Sequence, residues 1–201
     1  MTQSFVYPDT LATFLTRLDD AFARPGRVYL VGETALLFEG RRPWVEHVAL
    51  TADVVPENRS AFDEAVHAVA DALGIAVLDE HPGDLIPLPD GYADRHRALE
   101  GPTSHLHLHH FDPYSVAFRF IARGDEPDYH LVLDFLDAGW LTMDEMDARL
   151  ATLLPRFSLE TIQQDPAEFR RKYKGLRQMA HAVRPAPPTG PQRRKKRFGR
   201  E

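Results

Sequence analysis

The feature that most limits how this chain can fold is the apolar run Val28-Tyr29-Leu30-Val31, which ends at Gly32 and passes directly into Glu33-Thr34-Ala35-Leu36-Leu37-Phe38. The run reads as a strand, and the residues after the glycine read as a short helix ending near Gly40. Folds that hold phosphate do so at such a junction, where backbone N–H groups and the helix dipole converge on an anion. About a dozen residues later, Val48, Leu50, Ala52 and Val54 alternate with His47, Ala49, Thr51 and Asp53 as a second strand.

The rest of the chain divides at Phe111-Asp112. Before Val28, Leu11, Phe14, Leu15, Leu18 and Phe22 recur at helical spacing behind Pro8-Asp9, with Asp9 as the expected cap. Ser60 and Asp63 resemble a capping box for a helix through Phe62, Ala65, Val66, Val69 and Leu73, stopped by Gly74. A strand is expected at Ile75–Leu78. The stretch 81–102 reads as loop with an edge strand at Leu85–Leu88, and Ser104–Phe111 as the last strand. Beyond it, Asp112-Pro113, Pro127-Asp128, the Thr142/Glu145 capping box and Asp165-Pro166 open four helices. The third is expected to end before Pro155, and the last to run to about Val183. The class is α+β: a sheet-containing part over residues 1–112 and a helical part over 113–183, followed by a tail at 184–201.

Composition sharpens this division. With 43% hydrophobic residues, the chain of 201 residues can bury one core. Its net charge is −6, yet the last twenty residues hold seven Lys or Arg and one Glu, so the remainder carries −12. The tail, Pro-rich and then basic, is expected to be disordered. No cysteine is present, which excludes disulfides and thiolate chemistry. No apolar run approaches the ~20 residues needed to span a bilayer, and nothing at the N-terminus reads as a signal segment, so a cytoplasmic protein with no membrane partner is expected.

Taken in order, Gly32-Glu33-Thr34-Ala35, the pair Arg41-Arg42, the strand ending Leu50, Leu88-Pro89-Asp90-Gly91-Tyr92, Phe111-Asp112-Pro113-Tyr114-Ser115, Asp128 and Asp137-Ala138-Gly139 resemble the nucleotidyltransferase fold. The likeness is to small bacterial nucleotidyltransferase-like proteins related to abortive-infection toxins, and it covers most of residues 10–180. It implies a mixed sheet with flanking helices, and it makes Gly32, Glu33, Thr34, Arg41 and Arg42 the candidate nucleotide-binding residues. It also implies a Gly-Gly-Ser/Thr turn, an Asp-x-Asp pair on the second strand and a third acid on a neighbouring strand. Those acids would hold Mg²⁺, a hard cation that takes oxygen ligands.

This chain departs from that pattern where the chemistry would occur. The second glycine is Glu33, whose carboxylate repels an anion, and the Asp-x-Asp pair is replaced by His47-Val48-Ala49. Alanine offers no ligand and neutral imidazole is a poor one for Mg²⁺. Asp53 shares the face of His47 and Ala49, but lies roughly 13 Å beyond Ala49 at strand rise. Mg²⁺ is therefore not expected at the usual site, and no catalytic residue is assigned. The turn also reads simply as a strand-to-helix connection.

Histidines offer another set. His105, His107 and His109 share one face of their strand, with His110 opposite. If that strand lies beside the second one, His47 faces His105 or His107 and the four form a transition-metal site. The ordinary reading puts Leu106 and Leu108 inward and these histidines in water. Arg193, Arg194, Lys195, Lys196 and Arg197 form a cluster able to bind a nucleic-acid backbone or simply to keep the tail solvated. The expected function is that of a nucleotidyltransferase-fold protein that has lost the transfer reaction and acts by binding a nucleotide or a protein, in a defence or toxin–antitoxin-like setting. Two alternatives stay open. One is an active transferase moving a nucleotide onto a protein, RNA or small-molecule hydroxyl; the other is a nucleic-acid-binding module working through the tail.

Overall fold

Alternation along the first two strands sends their side chains into two separate cores. The computed structural model describes residues 5–160 and 164–183; the tail and its basic cluster lie outside them. The chain runs through α1 (Pro8–Phe22), β1 (Gly26–Leu30), α2 (Glu33–Phe38), β2 (His47–Asp53), α3 (Arg59–Leu73), β3 (Ala76–Asp79), β4 (Arg97–Ala98) and β5 (Leu106–His110). The helices α4 (Pro113–Arg123), α5 (Glu126–Asp137), α6 (Met143–Glu160) and α7 (Pro166–Val183) follow. The protein is thus α+β, with a five-stranded mixed sheet and a helical C-terminal half. No helix among the described residues is long and apolar enough to cross a membrane.

The sheet order is β3-β2-β1-β5-β4. β1 pairs antiparallel with β2 and parallel with β5, and β2 pairs parallel with β3. Val28, Leu30, Val48, Leu50, Leu106 and Leu108 form one core with α1 and α3. Tyr29, Val31, Ala49 and Phe111 form the other with α4 to α7. One buried carboxylate ties the first layer together: Asp19 of α1 accepts the N–H groups of Ser104, His105 and Leu106 at 2.7–2.9 Å. Burial alone would push Asp19 up, but those donors and the His105 ring outweigh it and hold the carboxyl below its ordinary pKa.

Several boundaries differ from the sequence expectations. Leu85–Leu88 is not a strand; its apolar residues pack from a loop onto the second core. The edge strand is instead β4, two exposed residues with no periodicity to reveal them. α1 begins at Pro8, with Asp9 inside its first turn rather than as its cap. α3 begins at Arg59, and Ser60 Oγ turns to Glu64 instead of capping. α6 continues through Pro155. An internal proline costs ~3 kcal/mol, but Leu153, Leu154 and Phe157 lie buried on both sides of it and hold the helix in the core. At Asp165-Pro166 the helix opens as expected, with the Asp165 carboxylate accepting the Ala167 N–H at 3.1 Å.

Candidate functional site

The Gly32 turn joins β1 to α2, and the protein's own groups fill its surroundings. Gly32 has φ +58°, and a Cβ placed there would lie 3.0 Å from the Phe120 ring and 3.6 Å from Leu131. Thr34 is fully buried, and its hydroxyl accepts the Ala49 N–H at 2.8 Å, fastening α2 to β2. Glu33 and Arg42 do meet, but they satisfy each other: the guanidinium bonds Glu33 at 2.7 Å and Asp134 of α5 at 3.0 Å. Arg41 lies beside Glu39 at 3.7 Å. Gly32→Ala is expected to cost about 3 kcal/mol, from left-handed strain and the Phe120 clash together; urea unfolding measures it.

On β2, His47 is half-buried and Ala49 buried, on the face shared with Tyr29. Asp53 sits at the far end of the strand beside Arg27 at 3.7 Å. One strand over, the structure adds an acid that the sequence reading missed. Leu78 pairs with Ala49, so Glu80, two residues further on, falls on the same face. Its N–H bonds the Leu50 carbonyl at 2.8 Å, and its carboxylate takes Arg119 and Arg123 of α4 at 3.3 Å each. Arg119 also donates to the His81 carbonyl at 2.7 Å, and Arg123 pairs with buried Asp128 at 3.3 Å. Burial pushes the Asp128 carboxyl up and Arg123 offsets this only in part. Parity along β3 was the available signal, but only the register reveals it.

The histidines are not brought together as expected. β5 lies beside β1, so β1 separates His47 from His105, His107 and His109. The reason is topological: the β2–α3–β3 crossover returns β3 parallel alongside β2 and occupies that edge. His105 turns to Asp19 at 3.2 Å, His107 is exposed, and His109 packs on Tyr29 with ring centroids 5.5 Å apart. Among the described residues no group of three His, Asp or Glu side chains stands close enough to hold a metal. His110, on the opposite face, is 2% exposed beside Trp140, and neither ring nitrogen has a hydrogen-bond partner.

A different junction unites two of the motifs. Arg95 donates to the Pro89 and Asp90 carbonyls and forks onto Asp112 at 2.9 and 2.8 Å, while Tyr92 stacks on Phe111. The stretches 88–92 and 111–115 thus form one structural knot at the start of α4. Lys172, part of the basic run on α7, turns inward and donates to the Ala122 and Arg123 carbonyls, capping the C-terminal end of α4.

The class these elements define is an α+β protein whose glycine turn and short helix bridge an antiparallel strand pair. Comparison of the chain with protein-family models, with curated proteins and with solved structures finds no match.

Proposed function

We propose that the protein is a catalytically silent relative of the nucleotidyltransferases that acts by binding. Topology supports the fold half of this reading. The glycine turn and α2 connect an antiparallel pair, and β3, rather than the Ser104–Phe111 strand, lies beside β2, where the resemblance would put a third acid. The observation that carries the silent half is the chemistry of that face. His47 and Ala49 supply no carboxylate, the one acid beside them, Glu80, is neutralised by two arginines, and Glu33 with Arg42 and Asp134 occupies the mouth of the turn. A two-metal transfer needs oxygen ligands converging on an open position, and here the acidic groups are committed to arginines.

Incubating the full chain with radiolabelled nucleoside triphosphates, Mg²⁺ or Mn²⁺ and cell extract is expected to label no protein, RNA or small molecule. Labelling that depends on the Gly32 turn would establish the active transferase instead. Combining Glu33→Gly, His47→Asp and Ala49→Asp is expected to give a rise in melting temperature with Mg²⁺ and triphosphate that is larger than any shift of the wild type. A variant that folds but shows no shift would remove the support for an inherited nucleotide cleft.

A further inference from the structure

The N-terminal segment is held to the rest of the fold by a single antiparallel bridge, Val6 with Val45, whose N–H groups bond each other's carbonyls at 2.8 and 2.9 Å. Both valines are buried. Strand alternation turns their neighbours outward, and those neighbours are aromatic: Phe5, Tyr7 and Trp44 are 41%, 51% and 43% exposed. The Phe5 and Trp44 rings lie 4.5 Å apart and are tilted by 56°. Of the five large hydrophobic side chains that the described residues leave open, three therefore gather on one small surface, whereas Val55 and Leu78 lie elsewhere in the chain. A cluster of exposed rings, unlike a lone exposed leucine, marks a surface that something covers.

Tilted aromatic rings are the surface that proline rings pack against, and proline-rich segments with PxxP spacing dock on aromatic-lined grooves with little entropy left to lose. The chain carries such a segment itself. Pro185-Ala186-Pro187-Pro188-Thr189-Gly190-Pro191 contains two overlapping PxxP patterns, Pro185 to Pro188 and Pro188 to Pro191, and Arg193 and Arg194 follow. Glu46, exposed and next to Val45 in the bridged segment, places a carboxylate at the edge of the platform for those cations. We propose that the Phe5/Tyr7/Trp44 platform is a docking site for residues 185–191 of this chain. Docked there, the segment masks the platform and brings its basic end to the acidic body, so both become available to a partner together. The proposal is independent of the nucleotidyltransferase reading.

The test uses the full chain. Trp44 has one indole N–H resonance, assigned by its loss in Trp44→Phe. Replacing Pro185, Pro187, Pro188 and Pro191 together by alanine is expected to shift that resonance and, in a Trp140→Phe background where Trp44 is the sole tryptophan, to increase acrylamide quenching of its emission. With the four prolines kept, Trp44→Ala is expected to speed protease cleavage within residues 184–201. An indole resonance, quenching and cleavage rate that are all unchanged would overturn the docking, whatever nucleotide or metal the protein binds.

Discussion

Asp112→Ala is expected to remove about 4 kcal/mol of stability. Asp112 is fully buried at the N-terminus of α4 and its two oxygens serve five donors. The Ser115 hydroxyl and N–H lie at 2.7 and 3.2 Å, the Tyr114 N–H at 3.4 Å, and Arg95 Nε and Nη2 at 2.9 and 2.8 Å. Alanine removes an N-cap, worth roughly 0.5–2 kcal/mol, and takes the carboxylate from a guanidinium that keeps only the Pro89 and Asp90 carbonyls, which costs less than the roughly 3–5 kcal/mol of a fully buried broken pair. Against a total stability of about 5–15 kcal/mol for a domain, the variant approaches the folding threshold. Asp112→Asn keeps the cap and loses the charge, so it is expected to fall between wild type and Asp112→Ala. Urea midpoints for Asp112→Asn, Arg95→Met and the double variant form a cycle, and a coupling of about 2 kcal/mol is expected. Additive losses would show that Arg95 merely lies near Asp112.

Acid is expected to destabilise the protein through His110. Its ring sits between β5, the end of α2 and Trp140, and burial first, then Arg97, brings its pKa from 6.5 down to about 4. Glu39, 3.5 Å away, does not reverse this, because its carboxylate is shared with Arg97 at 3.2 Å and Arg41 at 3.7 Å. Between pH 6.5 and 4 the unfolded chain binds a proton at this position and the folded one does not. The unfolded state therefore gains as pH falls, and stability is lost from 6.5 downward until the folded ring also protonates. The full effect is about 3 kcal/mol. Stability of the wild type by urea unfolding should decline across that window. In His110→Leu, which keeps an apolar filling beside Trp140, the decline should shrink to what His96, also lowered by burial, contributes in the same direction, less what Asp128, raised by burial, offsets. Equal slopes in the two proteins would exclude His110 as the source.

The elements that were readable from the residues share one property: the information lies within a few positions. α1 and α3 announce themselves by apolar spacing, and Asp112-Pro113 and Asp165-Pro166 mark helix starts because a carboxylate can accept N–H groups two or three residues ahead. β4 was invisible because two exposed residues have no period. Pro155 misled because its local penalty is outweighed by packing that local spacing does not report. The candidate site was readable only in part. That His47 and Ala49 carry no carboxylate is plain from the sequence, but what surrounds the turn is not. Phe120, Leu131 and Asp134 are far along the chain, and the Asp134 bond to Arg42 spans 92 positions.

The residues alone determined that this chain alternates strands and helices, then turns wholly helical, and that His47 and Ala49 on its second strand offer no carboxylate to a magnesium ion. Such properties depend on side-chain chemistry at short range. Tertiary structure decided that β5 joins β1 rather than β2, that Glu80 reaches the Ala49 face only to meet Arg119 and Arg123, and that His110 is the buried histidine. Each of these depends on which strand occupies which edge, and edge occupancy is settled by crossover connections and core packing across the whole chain.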